Sequence, residues 1–514
     1  MCNKEIAKFN NYMVQPLPGP RGLFLGLAPL ADFNYITARA QRGHQARLSS
    51  CPADIVYLIL KELSSAEYRT LCLVAQNFRL LAQPLLYSKI QWLWEEERHG
   101  PPPQLPRLLR TLFSRPDLAA NVRIVHLDGK KHTHSRRWNV PRFPIPEAEL
   151  YGPTAFIRRA RVPYGEDWIQ GLRDGDLDAL LALLLSQLRN LQRLYLSYDF
   201  TRQPVFIGKL LLSALSNARH DLPDFQHLHE VSFLRREDRD EAFDENFKNT
   251  AHVLPFFYLP AIERMAIMIQ NPEEWTWPTA HAPVPLNLTS LHLFGIREGC
   301  LGEILAVLPN LNALHWEWYY DHGVWDKFTT QTLDLDRIAA DLSRVRAPLI
   351  NLKITAGINC AIPTGDQFYP ALKASGSLRE MHTIDSVKTL YIPWEFLVGF
   401  AQDTARRIQD ILPRSVEIVT LTDDLALQNE DNMEPQWPMW EWEDWAMLAV
   451  LRSWIDEWEI YTPHLRGVTL QLTWIDTDMK QWLPDKVDEF TKMGDRTGLT
   501  FRFIALEGEI GSLL

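Results

Sequence analysis

Leu311-Asn312-Ala313-Leu314-His315-Trp316 is one copy of the phrase that decides the fold: an apolar residue, two spacers, a second apolar residue, one spacer and a third. Toward the N-terminus the spacing recurs as Leu288-Leu291-Leu293, Ile262-Met265-Ile267, Leu228-Val231-Phe233 and Leu191-Leu194-Leu196, with Val122-Val125-Leu127 as a candidate first member. Toward the C-terminus it recurs as Leu349-Leu352-Ile354, Val387-Leu390-Ile392, Val416-Val419-Leu421 and Leu465-Val468-Leu470. The last three residues of each phrase alternate in, out, in, as in a short strand with one buried face. Helical text precedes several copies, clearest at residues 177–188 and 301–308. Helix, tight turn and strand, repeated, predict an α/β chain whose strands stack into a parallel sheet over a shared core. Any α/β protein with helix-then-strand order yields similar phrases, so that alternative stays open.

Ahead of the phrases lies a different pattern, over residues 48–90. Pro52 is followed by Ile55, Ile59 and Leu63 at a spacing of four, a single helical stripe that Leu58 widens. Leu71, Val74, Phe78 and Leu81 follow at three, four and three, which fits one helix face or two short helices in near-continuation. Ser64 and Ser65 separate the two sets and offer an N-cap, with Glu67 in the first turn where a negative charge suits the helix dipole. The pattern stops at Pro84. A module this small cannot bury a core alone, so its leftover apolar positions, Leu73 and Leu85 among them, need the rest of the chain or another protein.

The run Leu48-Ser49-Ser50-Cys51-Pro52-Ala53-Asp54-Ile55, then Ile59, Leu63, Leu71-Cys72-Leu73-Val74, Asn77-Phe78-Arg79 and Leu81-Ala82-Gln83-Pro84-Leu85-Leu86-Tyr87, resembles an F-box, more narrowly that of filamentous-fungal proteins. The resemblance covers under a tenth of the chain, and the closing Phe-Arg-x-Leu-Ala-x-Pro-Leu-Leu-Tyr is its most specific part. It implies a three-helix module docked on a Skp-type adaptor, itself bound to a cullin. The adaptor-facing positions it implies are Pro52, Ile55, Ile59, Leu63, Leu73, Val74 and Phe78. Cys51 departs from the family's usual Leu before the proline, and Glu67-Tyr68 from its Asp-Leu. The repeated phrases in turn resemble the degenerate leucine-rich-repeat region that follows the F-box in many fungal members. Their intervals run from 23 residues (Leu288 to Leu311) to 49 (Val416 to Leu465), against about 20 to 29 in regular repeats. The asparagine of the usual ladder position is mostly absent.

The expected fold class is therefore α/β, with a small all-helical F-box module followed by an irregular leucine-rich-repeat-like α/β solenoid. Residues 1–47 read as an irregular arm rich in Pro and Gly, and 48–90 as the F-box. Residues 91–176 read as a linker at Pro101-Pro102-Pro103, a helix over 105–113, a strand with Val122, Ile124 and His126 on one side and Val125 and Leu127 on the other, and a basic loop over 129–167. Residues 177–514 form the expected substrate-binding region, with an acidic, Trp-rich segment at 423–460.

A net charge of -11 in 514 residues hides an asymmetry. From Asp423 to Glu459 eleven acidic residues face one basic residue, and from Arg98 to Arg161 thirteen Lys or Arg face four acidic residues. Such runs are commonly solvated faces. The sharper reading sets a phosphorylated segment against Arg136, Arg137, Arg158 and Arg159. Trp437, Trp440, Trp442, Trp445, Trp454 and Trp458 lie among carboxylates. They fit either a terminal cap helix, through Met447, Leu448, Leu451, Trp454, Ile455 and Trp458, or a surface of Trp437, Trp440, Trp442 and Trp445 that holds a basic peptide.

Five scattered cysteines argue against a disulfide framework, and no run approaches the eighteen or so apolar residues of a membrane span. A cytoplasmic or nuclear protein is expected, with neither nucleic acid nor membrane as partner. No nucleophile elbow, phosphate loop or paired-cysteine motif is legible. His126, His132, His134 and Asp128, and likewise His315, Tyr319, Asp321 and His322, are weak as metal sets, so neither metal nor cofactor is expected. The expectation is a non-enzymatic subunit that recruits an unknown protein substrate to a ubiquitin ligase. The alternative is an adaptor-binding scaffold or regulator with no role in ubiquitination.

Overall fold

The computed structural model describes residues 52–95, 104–130, 142–143, 145–201, 203–216, 221–234, 248–321, 324, 326–345, 348–359, 372–402, 406–426, 433–434, 437–438, 442–472 and 482–505. They fall in two compact units, 1–82 and 83–514, so the boundary lies inside a helix and eight residues before the expected 90.

The first unit holds α1 (Ala53–Lys61), α2 (Ser65–Val74) and most of α3 (Gln76–Leu86). Ser64 caps α2 as the sequence predicts, and the box is complete: Glu67 N–H donates to Ser64 Oγ, and Ser64 N–H donates to the Glu67 carboxylate at 2.6 Å. The Ser64 N–H and the Ser64 hydroxyl, which both donate to this carboxylate, hold the Glu67 carboxyl below its ordinary range. Tyr68 Oη donates to the Leu60 carbonyl at 2.7 Å and ties α2 to α1. Ala75 is extended, φ -157° and ψ 152°, so the second apolar set forms two helices rather than one. Pro84 does not end α3, which runs on to Leu86. A proline in the last turn forfeits its own N–H bond, and there the helix has few further bonds to lose.

The second unit is mixed α/β around one twelve-stranded sheet. Its strands are β1 (Lys89–Glu95), β2 (Ile124–Lys130), β3 (Arg193–Ser197), β4 (Glu230–Leu234), β5 (Arg264–Met268) and β6 (Ser290–Phe294). They continue as β7 (Ala313–Asp321), β8 (Asn351–Asn359), β9 (Thr389–Pro393), β10 (Ile418–Thr422), β11 (Gly467–Leu472) and β12 (Thr500–Ala505). Every neighbouring pair is parallel, and the order across the sheet is the order along the chain. All ten phrases coincide with β2 to β11, and their middle residues stand in register: Val125, Leu194, Val231, Met265, Leu291, Leu314, Leu352, Leu390, Val419 and Val468. These residues are buried, as are the leading residues from Val122 to Leu465. Val122 therefore sides with Val125 and Leu127, not with Ile124 and His126. Two strands escaped the reading, β1 with Tyr87, Ile90 and Trp92 at the same spacing, and β12, where Gly498 (φ 74°) takes the leading place before Phe501 and Phe503.

The missing asparagine ladder has a main-chain substitute. In β1 to β10 the residue just before the first paired position offers its carbonyl to two successive N–H groups at the start of the next strand, and Arg466, before β11, offers its own to Thr500 N–H alone. Thus Gln192 and Arg193 N–H donate to Arg123 O at 2.7 and 3.0 Å, His229 and Glu230 to Gln192 O, and Glu263 and Arg264 to His229 O. The chain of acceptors continues through Glu263, Thr289, Asn312, Ile350, Lys388, Glu417 and Arg466. Buried backbone groups must be paired, and here no side chain is needed to pair them.

Helices of eight or more residues fill the connections: α4 (Gln104–Ser114), α5 (Glu147–Ala160), α6 (Gly165–Asp174), α7 (Leu177–Leu185), α8 (Val205–Leu215), α9 (Glu298–Leu305), α10 (Leu335–Leu342), α11 (Asp444–Ile455) and α12 (Pro484–Thr497). One apolar core joins the phrase residues to Leu180, Ile207, Ile304, Leu342, Leu451 and Phe490 of these helices. Asp178 of α7 holds the start of α8, accepting from Phe206 N–H at 2.5 Å and Ile207 N–H at 3.3 Å, and burial pushes its carboxyl up to about 8.

Two expectations are corrected. The second half of the expected 129–167 loop is largely helical, through α5 and the start of α6; Gly152 and Pro153 concealed a stripe of Leu150, Pro153, Phe156, Ile157 and Ala160 that is buried. The helix with Met447, Leu448, Leu451, Trp454 and Ile455 is indeed buried on that side, yet it is no terminal cap, because β11 and β12 follow it. No helix among the described residues is long and apolar enough to cross a membrane.

Candidate functional site

In the three-helix unit Val56, Leu60, Tyr68 and Ala82 supply the buried side chains. Four residues make a small core, and α1 shows its logic: Val56 and Leu60 face in, while Ile55, Leu58 and Ile59 are exposed. Of the seven expected adaptor-facing residues, Pro52, Ile55, Ile59, Leu73 and Val74 are exposed, and Leu63 and Phe78 are half-buried. Leu73 is 88% exposed. Leu80 and Leu81, which the sequence reading did not assign, extend the exposed apolar set onto α3. Exposed apolar side chains at this density on one small unit have no structural use of their own and suit a protein contact.

On the twelve-stranded unit the spacers of the phrase stand on the sheet face opposite the core. One row crosses the strands as His126, Tyr195, Ser232, Ala266, His292, His315, Lys353 and Tyr391. The row beside it alternates in charge at Arg193, Glu230 and Arg264, with Arg264 donating to Glu230 at 2.6 Å. Burial alone would raise Glu230, but the bonds from Arg264 and Tyr195 and the two guanidinium charges hold it below its ordinary value. Burial and the Glu230 carboxylate push Tyr195 up to about 12.

At the centre of the face the His292 and His315 rings stack with centroids 3.8 Å apart and planes 14° from parallel. His292 Nε2 lies 2.5 Å from Glu317 Oε1, and His315 Nε2 lies 3.7 Å from the same oxygen and 3.2 Å from Thr355 Oγ1. Burial, reinforced by His292 and Lys353, drives the His315 pKa far down. Lys353 Nζ sits 4.8 Å from the Tyr391 ring centroid, and Gln471 Nε2 donates to Tyr391 Oη at 3.1 Å. Of the weak set His315, Tyr319, Asp321 and His322, Asp321 is buried, and His322 lies outside the described residues.

The remaining expected residues are scattered. Arg136 and Arg137 lie outside the described residues, as do His132, His134 and Trp440. Arg158 and Arg159 are exposed on α5 and each already faces an acid, Glu166 at 3.1 Å and Asp221 at 3.0 Å. Trp437 lies in a two-residue strand, Trp437–Pro438. Trp442 belongs to the core: it is buried, donates from Nε1 to Gly399 O at 2.8 Å and meets Trp394 edge-on at 5.4 Å. Trp445 is exposed and donates to Glu443 at 2.8 Å. Large aromatic rings near carboxylates in sequence are often there to fill space, and Trp442 and Trp454 do so.

No protein-family model matches the sequence, and no curated protein matches it.

Proposed function

We propose that the chain is a substrate-recognition subunit of a Skp/cullin/F-box-type ubiquitin ligase, with α1 to α3 as the F-box and the twelve-stranded unit as an irregular leucine-rich-repeat-like solenoid that receives the target. The observation that carries the reading is the exposure of Ile55, Ile59, Leu73 and Val74, the positions the F-box resemblance assigns to the adaptor. The repeat reading draws on the strand order and on a spacer row free to differ from strand to strand. Such a subunit works by positioning: it raises the effective concentration of target lysines near the ubiquitin donor and makes or breaks no bond itself.

The test is co-purification with a Skp-type adaptor. The wild-type chain is expected to retain it, and an Ile59→Asp, Val74→Asp double variant to lose it while keeping its circular dichroism and thermal midpoint. Retention by the folded double variant contradicts the proposal. Turnover of a co-purified target then separates a recognition subunit, which shortens the target's half-life through the module, from an adaptor-binding scaffold, which does not.

A further inference from the structure

We propose that His292, His315 and Glu317 form a binding site for a divalent transition-metal ion of the zinc class on the open face of the sheet. One nitrogen of each imidazole and one carboxylate oxygen lie within 4.8 Å of one another. Two imidazoles and a carboxylate are a donor set that zinc accepts, with a fourth position left for water. The donors of a tetrahedral zinc stand about 3.3 Å apart, given bonds of about 2.0 to 2.1 Å. The Glu317 oxygen stands 2.5 Å from one imidazole nitrogen and 3.7 Å from the other, and since the rings stack 14° from parallel, one imidazole turns about its Cβ–Cγ bond to bring its lone pair onto the ion.

The placement is rigid. His292 and His315 are a registered pair on β6 and β7, and Glu317 follows two residues along β7 on the same face. Sites carried by strands hold geometry better than sites on loops. Both nitrogens reach for one carboxylate oxygen, yet a single shared proton serves only the closer ring, and His315 is left with the Thr355 hydroxyl as its near partner. A cation satisfies all three donors together. The nearest competing cation, the Lys353 ammonium, is turned to the Tyr391 ring on the far side. On zinc entry the proton on His292 Nε2 passes to solvent and His292 is left neutral with its one proton on Nδ1, while the Thr355 hydroxyl gives up its contact with His315 or turns to the bound water.

The full-length chain, treated with chelator and then titrated with zinc chloride in a calorimeter, is expected to bind an equivalent of zinc that a His292→Ala, His315→Ala double variant lacks. His315→Ala alone is expected to weaken this equivalent at least about tenfold, and His126→Ala, on the same face, to leave it unchanged. A double variant that binds every equivalent the wild type binds overturns the proposal. A second measurement needs no variant: zinc is expected to protect His292 and His315 of the wild-type chain from diethyl pyrocarbonate, read peptide by peptide in a mass spectrometer. Equal modification with and without zinc also overturns it.

Discussion

In the three-helix unit Leu73 and Leu80 stand 88% and 66% exposed, whereas Leu180 and Leu184 of α7 in the sheet unit are completely buried. All three helices place apolar residues at helical spacing, but every residue of α7 is buried. The module helices carry one apolar side inward and another outward. The difference teaches that apolar periodicity announces a surface to be covered without saying by what, and the two units answer differently.

Four measurements break or sharpen this contrast. Trp316, fully buried with Nε1 donating to Ile296 O at 2.9 Å, represents the covered state. Trp316→Ala is expected to lower the unfolding free energy by about 3–5 kcal/mol, and Leu73→Ala to change it by no more than about 0.5 kcal/mol, both read by denaturant titration. Equal losses for the two variants mean that Leu73 is packed after all.

Asp178 gives the contrast a pH dependence. Its folded-state pKa of about 8 lies above the ordinary carboxylate value, so between these limits the folded chain keeps a proton that the unfolded chain releases. Stability therefore falls as pH rises through that window, by up to about 1.4 kcal/mol per pH unit. Asp178→Asn is expected to flatten the curve between pH 5 and 7, and unfolding curves of unchanged slope rule the assignment out.

Smaller effects belong to the edges. Ser64→Ala removes the α2 cap and is expected to cost about 1 kcal/mol, seen as faster hydrogen exchange at Glu67 and Tyr68 with the sheet amides unchanged. Should exchange accelerate in β2 to β11 as well, the two units unfold as one. Arg158→Ala breaks an exposed pair with Glu166 and is expected to shift stability by less than about 0.5 kcal/mol, detectable only as a near-null change of thermal midpoint.

The strands were legible because a parallel sheet covered on one side repeats the same demand at each step, whatever the length of the connection between. The interval from one strand start to the next varies from 23 residues (Ser290 to Ala313) to 69 (Ile124 to Arg193), and it carries no signal of register. β1 was hidden because its residues close the helical module's own text, and β12 because glycine stands in the leading place. α5 was hidden by Pro153 in its middle. For the candidate sites, the proposed adaptor positions rest on the F-box resemblance, which the spacing alone does not supply. His315 drew notice only with residues of its own strand, since a one-strand reading cannot supply a neighbour. His292 occupies the same spacer of the preceding phrase as His315 does of its own, and laying one phrase beneath the next would have joined them.

The row of doubly used carbonyls from Ser88 to Glu417 asks nothing of side chains. Mutational drift can therefore rewrite the spacer residues while the strand spacing stays as it was, much as a printed page can be reset without recutting the frame. A lineage carrying this architecture rewrites what the open face presents by substitution alone.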